Sequence, residues 1–288
     1  MRNSCFNSYL RLLSKMFYTE EQTRDIQRIR FAYIRHNYQN YCLTITLDRP
    51  EKKNAMNPLF MREIVFMLNH ARHNEDVRVV VLKANGNIFC AGADLKAMAG
   101  NSELPVSDVP EPLQEVKLGD AFIHLFKPCI AAVHAPVYAG GFLLLGGCTH
   151  VVSASHAVFG LPEVNRGLWP FQVMASLMPL IPSRVLLDWC MRGRVLNASE
   201  AFQVGLVSQV VEPELLDKTV DLLSSELAGK APLAIRKGLE AFQAIRNIQG
   251  SEQHAYLYEQ LQVLLKSEDA LEGLNAFAEK RAPRWKGK

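Results

Sequence analysis

The stretch IAAVHAPVYAGGFLLLGGC, residues 130–148, joins two apolar runs through the glycine pair Gly140 and Gly141. Its first part, residues 130–137, is apolar apart from His134, which reads as a strand buried on both faces. The second run opens at the glycines, so the pattern predicts a strand, a tight turn and then a long apolar helix from about Gly140. The first backbone N–H groups of such a helix have no partner within it and point outward. Glycine leaves them open to a ligand, because no Cβ stands in the way. A Gly-Gly pair after a strand also serves as a plain tight turn, so the stretch indicates α/β architecture first and only nominates a site.

Upstream, VRVVVLKA (77–84) is a β-branched run with the same buried-strand reading, and it too leads into a glycine-containing turn, FCAGADLKAM (89–98). Further back, YCLTITLD (41–48) alternates, with Leu43, Ile45 and Leu47 on one face of a half-buried strand. Asn57 and Pro58 supply an N-cap and a first-turn proline for a helix that places Met61, Ile64, Val65, Leu68 and Ala71 on one face. Residues 100–112, rich in Pro, Ser and acids, read as a mobile surface loop. Downstream, VVSAS (151–155) is a short strand, and helical periodicity dominates residues 213–228 and 251–280. Strands alternating with helices, then a helical tail, give an α/β fold with a C-terminal α-helical region. The division expected is an N-terminal extension over 1–40, a core over 41–210 and a helical region over 211–288.

The chain has 288 residues, 49% hydrophobic and 21% charged, with a formal net charge of +3, ordinary values for a globular enzyme-sized protein. That charge is too small to point to nucleic acid, and no uninterrupted apolar run reaches the length of a membrane span. The six cysteines form no CxxC pair, and no His/Cys cluster has zinc spacing, so the expectation is a reducing compartment and no metal. Residues 1–19 carry Arg2, Arg11 and Lys15 and no acid. They read as an upstream extension of a cytoplasmic protein, with Met16 as an alternative start, or as a presequence for the mitochondrial matrix.

FGLPEVNRGLWP (159–170) holds Glu163 among apolar residues just after a strand. Desolvation raises the pKa of such a carboxyl, which suits proton transfer near neutral pH. Read alone, it is more readily a surface glutamate on a loop. Outward-pointing amides at the two glycine turns suit a developing oxyanion. His134, His150 and His156 have no metal-ligand spacing, and Cys90 has no basic neighbour to activate it, so all four read as structural.

Taken together, these segments resemble the crotonase (enoyl-CoA hydratase/isomerase) superfamily from about Leu43 to the C-terminus. LDRPEKKNAMN (47–57) resembles its first strand and turn, FCAGADLKAM and AGGFLLLGGC (139–148) its two oxyanion segments, and FGLPEVNRGLWP its catalytic loop. MRGRVLNASEAFQVGLVSQVV (191–211) and GLNAFAEKRAPRW (273–285) resemble segments that follow. The resemblance implies a spiral of repeated ββα units, a homotrimer or dimer of trimers built through the helical region, and an acyl-CoA substrate. Coenzyme A is then part of the substrate, and no separate cofactor is implied.

Carried over by position, the resemblance implies that the amides of Ala93 and Gly140 hold the thioester oxygen and that Glu163 is the catalytic carboxylate. Lys96 and Asp94 fall in the CoA-contacting part of the first turn. Phe277 and Lys280 fall where a C-terminal helix, often a neighbour's, contacts CoA. Trp169 and Phe171 replace a small, glycine-rich stretch and either reshape the acyl pocket or simply pack in the core. Leu143 occupies the place of the first of two glutamates in hydratases, and no acid lies between Leu125 and Pro162. One carboxylate without the other implies an enoyl-CoA isomerase that shuttles a proton. Hydration, another enolate reaction, or CoA-ester binding without turnover are the alternatives, and fold resemblance does not select among them.

Overall fold

The computed structural model describes residues 17–98 and 105–288. The expectations for residues 1–16 and for residues 100–104 of the proposed loop lie outside the described residues. Six strands form one sheet in the order β1 (Ile34–Gln39), β2 (Cys42–Leu47), β3 (Val79–Ala84), β4 (Cys129–Val133), β6 (His150–Ala154), β9 (Gln209–Val211). β1 and β2 pair antiparallel, and every later pairing is parallel. A smaller sheet joins β5 (Val137–Tyr138), β7 (Val158–Gly160) and β8 (Val195–Asn197). The helices used below are α1 (Pro58–His73), α2 (Phe142–Leu145), α3 (Ser183–Arg192), α4 (Leu216–Ala228), α5 (Pro232–Ala244), α6 (Glu252–Leu264) and α7 (Glu268–Ala278).

Alternation along the central strands builds two cores. Val80, Leu82, Ala131, Val133 and Val151 face the larger one with Leu43, Ile45 and Leu47. Val79, Val81, Ile130, Ala132, Val152 and Ala154 face the other side, where α4 lays down Leu216, Val220 and Ala228. A sheet covered on both faces needs apolar residues at consecutive positions, which is why β3 and β4 read as unbroken runs. α4 runs against the strands: Asp217 near its start pairs with Lys83 late in β3 at 2.7 Å, and the Ala228 carbonyl at its end accepts from Arg78 at 3.1 Å.

α1 starts as its sequence demands. Asn57 caps it by accepting the Phe60 amide at 2.8 Å, and Pro58 occupies the first turn, where it forfeits no hydrogen bond. It buries more than the expected stripe, since Phe60, Glu63, Phe66 and Met67 are also buried. The N-terminal segment covers them. Tyr18 packs edge-on against Phe66 at 5.1 Å, and Phe31 lies 6.0 Å from the same ring. The sheet therefore begins at Ile34, before the boundary expected at Tyr41, and residues from Phe17 onward join the larger core.

Two expected elements differ. The run 130–137 is two strands rather than one, because the chain breaks after Val133 and Val137 moves to the small sheet. The apolar helix after Gly140 is one turn, Phe142–Leu145, preceded by a 3-10 turn over Ala139–Gly141. Gly146 and Gly147 end it against neighbours, and a Cβ on Gly147 would lie 2.2 Å from Phe122 Cγ. The described part of the acidic loop is also fastened. Ser107 donates to the buried Glu63 carboxylate at 2.7 Å, the Asp108 amide donates to the Arg30 carbonyl at 2.9 Å, and Val109 is buried. Glu63 accepts the Ala32 and Tyr33 amides as well, so its buried charge is met by three donors.

Candidate active site

Three segments leave the small sheet and its neighbour at the same end. Cys90 bridges Val137 in parallel, and Val137 pairs in parallel with Phe159. Gly140 and Ala93 each lie three residues beyond these registered positions, and Glu163 four beyond. The register of two short strands therefore delivers all three candidates to one edge. Phe142, Phe159 and Trp189 pack beneath, with Phe142 and Trp189 edge-on at 5.1 Å.

The first turn is fixed on both sides of Ala93. Met56 donates to the Gly92 carbonyl at 2.7 Å, and Asp94 donates its amide to the Met56 carbonyl at 2.8 Å. The Ala93 amide between them has no partner among the described residues. Gly92 has φ of 95°, and a Cβ there would lie 2.9 Å from the Gly140 nitrogen. A Cβ built on Gly140 would in turn lie 3.3 Å from the Ala93 nitrogen. The two amide-bearing turns thus lie against one another, so close that side chains on either glycine would intrude. Ala139 itself adopts φ of 50°, a left-handed conformation sparsely populated by residues with a Cβ. It turns the chain between the end of β5 at Tyr138 and Gly140.

Behind the first turn stands a group the sequence reading passed over. Arg49 is buried, donates from Nη1 to the Ala55 carbonyl at 2.7 Å and to Asp94 Oδ2 at 2.8 Å, and lies over the Tyr33 ring at 4.8 Å. Asn54 accepts the Arg49 amide and donates to the carbonyls of Asn85 and Ile88, tying the turn after β2 to the approach of the first amide turn. Asp94 caps the turn Leu95–Met98 by accepting the Ala97 amide. Desolvation opposes its charge, but the hydrogen bonds from Arg49 and Ala97 and the nearby positive charges prevail and hold its carboxyl below the ordinary value. The Asp94 carboxylate is therefore committed to the protein. The sequence carried no local signal for this role, since a solvated arginine after a strand reads the same way and only the distant Asp94 reveals the burial.

Glu163 sits in the 3-10 turn Pro162–Arg166, closed by Gly167 at φ of 71°. The Leu168 amide donates to the Glu163 carbonyl at 3.1 Å. Gly193, which ends α3, lets that turn pack closely, since a Cβ there would lie 2.9 Å from Asn165 Nδ2. The side chain is half-buried, and its Oε2 is shielded from solvent without a hydrogen-bond partner. Burial pushes the Glu163 carboxyl upward, against the weaker opposing effects of its own backbone and Arg166. Most polar atoms so placed are satisfied, and Oε2 of Glu163 is an exception.

Of the remaining candidates, Leu143 and Trp169 are half-buried and pack against the larger core, whereas Phe171 is 69% exposed. Lys96 is exposed on the turn after Ala93. Phe277 and Lys280 belong to a different end of the molecule. The tail after α7 is tied to the region where β3 begins and α4 ends: Trp285 donates to the Gly229 carbonyl just after α4 at 2.8 Å, and its own carbonyl accepts from Arg78, just before β3, at 3.4 Å. Ala93 and Gly140 lie beyond the opposite ends of the strands, so within one chain Phe277 and Lys280 are not part of this constellation. Cys90 is buried and its thiol is pushed up to about 12 by burial, consistent with a packing role. Among the described residues no group of three or more His, Cys, Asp or Glu could hold a metal ion, and no helix is long and apolar enough to cross a membrane.

Comparison with known proteins shows the family. Residues 37–288 match the enoyl-CoA hydratase/isomerase family model. A carnitinyl-CoA dehydratase of Citrobacter koseri is 36% identical over 252 residues, covering 85% of this chain and 95% of that protein. Among solved structures, a probable enoyl-CoA hydratase/isomerase from Mycobacterium abscessus is 32% identical with a TM-score of 0.79, covering 89% of this chain and 99% of that one. An enoyl-CoA hydratase from Mycobacterium tuberculosis is 30% identical with a TM-score of 0.79, covering 89% and 99%. With a crotonase-type fold, a helical C-terminal region and a match over most of its length, the chain belongs to the enoyl-CoA hydratase/isomerase family of enzymes.

Proposed function

We propose that the protein acts on an acyl-CoA thioester through the amides of Ala93 and Gly140 and the single carboxylate of Glu163, as an enoyl-CoA isomerase. The observation that carries this reading is the pairing of an orphaned, upshifted Glu163 carboxyl with a leucine at position 143. In the proposed cycle the thioester oxygen accepts both amides. Glu163 removes a proton from C2 of a 3-enoyl-CoA, and the C2–H electron pair enters the C1–C2 bond as the carbonyl becomes an enolate. The enolate collapses, the double bond moves to C2–C3, and the Glu163 carboxylic acid returns the proton to C4. Each amide of an oxyanion hole typically contributes about 2.7–4 kcal/mol to such a transition state. The reading requires no cofactor beyond the coenzyme A carried by the substrate.

The relatives named carnitinyl-CoA dehydratase favour a second reading. The same carboxyl would take the C2 proton of a 3-hydroxyacyl-CoA and deliver it to the departing hydroxyl, which leaves as water. Assay of the purified protein on 3-enoyl-, 2-trans-enoyl- and 3-hydroxyacyl-CoA, beside Glu163→Gln, separates the two. Isomerisation reduced roughly 10²–10⁴-fold in the variant, with no water added or lost, is expected for proton transfer by one residue. Water addition or loss that depends on Glu163 would replace isomerisation with the second reading. Wild-type activity in the variant would remove Glu163 from both.

A further inference from the structure

The start of β4 and the turn after α2 are stitched together by their backbones. The Thr149 amide donates to the Cys129 carbonyl at 2.9 Å, and the Cys129 amide donates to Thr149 Oγ1 at 3.0 Å. Strand pairing runs on from this point, with Ile130 opposite His150. Cys148, one residue before Thr149, is thereby held beside Cys129, and the two Sγ atoms lie 3.6 Å apart. Both are free thiols. A disulfide needs its sulfurs about 2.0 Å apart on closely spaced backbones. The backbones are already adjacent, so small turns of the two side chains separate the pair from a bond.

The two thiols differ in exposure and in partners. Cys129 is fully buried, whereas Cys148 is half-buried. Burial first, and then the neighbouring Cys148 sulfur, push the Cys129 thiol well above its ordinary range, so it is held protonated. The Cys148 thiol donates to the Leu144 carbonyl at 3.3 Å, which leaves the Cys129 S–H to point at the Cys148 sulfur. Entry from solvent is therefore at Cys148, with Cys129 behind it. An accessible thiol with a second one in reach is the arrangement that thiol–disulfide exchange requires. All of α2 lies between Gly140 and Cys148, so neither sulfur belongs to the proposed acyl-CoA chemistry.

We infer that Cys129 and Cys148 are a reversible disulfide-forming pair, oxidised by a small disulfide such as oxidised glutathione. In the first step Cys148 gives its proton to solvent and its sulfur attacks one sulfur of the glutathione disulfide. A Cys148–glutathione bond forms, and the other glutathione leaves as a thiolate and takes up a proton. In the second step Cys129 loses its proton and attacks the Cys148 sulfur, and the bound glutathione leaves as a thiol. Two protein thiols are oxidised, and one glutathione disulfide is reduced to two thiols. The bond would close residues 129–148 into a ring, adding a covalent restraint to the stretch that carries Gly140.

The test equilibrates the purified full-length protein with stepped ratios of oxidised to reduced glutathione, followed by alkylation in denaturant and tryptic digestion. The second step draws on a buried, protonated thiol and is the slow one, so equilibration runs over hours. Residues 118–166 form one tryptic peptide, because Pro128 protects Lys127 from cleavage, and its only cysteines are Cys129 and Cys148. In reducing buffer that peptide should carry two alkyl groups. In oxidising buffer it should carry none and weigh two hydrogens less than the free dithiol peptide, and dithiothreitol should restore both labels. Cys148→Ser should abolish the unlabelled form, and Cys129→Ser should stop the reaction at the Cys148–glutathione adduct. The wild-type measurement decides the question even where a variant fails to fold. A wild-type peptide that keeps both labels in the most oxidising buffer, or that stops at the adduct, would overturn the assignment.

Discussion

The two amide turns are held by opposite means. Around Ala93 the restraint is polar: Arg49 bridges Ala55 and Asp94, Asn54 reaches Asn85 and Ile88, and Met56 grips the chain before and after the amide. Around Gly140 the restraint is steric. Ala139 is held in a left-handed conformation, Gly141 has Cys90 and Val137 within 3.1 Å of where a Cβ would stand, and Gly147 lies under Phe122. The two amides proposed to share one oxygen are thus positioned by independent mechanisms. A change that loosens one turn leaves the restraints on the other in place. The Glu163 side chain, by contrast, is held by neither means at its tip, where Oε2 is shielded without a hydrogen-bond partner.

The largest effect should come from filling the gap between the turns. Gly140→Ala places a methyl 3.3 Å from the Ala93 nitrogen, where the thioester oxygen would sit, and should reduce kcat about 10²–10³-fold. Thermal unfolding should change little, and a variant of near-normal kcat would mean that these amides are not the oxyanion donors. Arg49→Met attacks the polar side, leaving Asp94 charged without its partner, and should cost about 3 kcal/mol in urea unfolding. If the turns are independently held, kcat in the folded variant should be lowered while CoA-ester affinity is kept. Gly147→Ala attacks the steric side and forces Phe122 to move, at about 1–3 kcal/mol. Equal stability of that variant and wild type would show that the second turn tolerates slack.

The smallest effect concerns Glu163 itself. Its folded carboxyl is raised above its unfolded value, so the native state holds the proton more tightly. The ionised form therefore costs stability. That penalty is absent below the unfolded pKa, develops as pH rises through the interval between the two values, and is complete above the folded pKa. Glu163→Gln should accordingly melt slightly above wild type at pH 8, with the difference shrinking toward pH 4. A difference that grows as pH falls would contradict the upshift. For wild-type turnover, activity should fall with acidity as the carboxylate is protonated.

How much was legible beforehand follows from the range of each signal. Strands β2 and β3 and helix α1 were readable because burial writes itself into local periodicity, down to the Asn57 cap. Gly140 and Glu163 stood out as a glycine turn and a lone acid among apolar residues. Arg49 did not, because its meaning depends on Asp94, far along the chain, and a surface arginine after a strand looks the same. Residues 17–33 were opaque for the same reason: Tyr18 and Phe31 are core residues only because Phe66 presents a ring to them. The division of residues 130–137 between two sheets leaves no mark in an apolar run, since both strands are buried.

The strand order of the large sheet, β1-β2-β3-β4-β6-β9, follows the chain without a reversal. Each strand can therefore add beside the one made before it, and no early strand must wait for a late one to be inserted between neighbours. A chain emerging residue by residue could extend its sheet progressively, presenting one growing edge. That edge would be unpaired until Gln209–Val211 arrives, so the interval before β9 docks is the period of greatest vulnerability to edge-to-edge association.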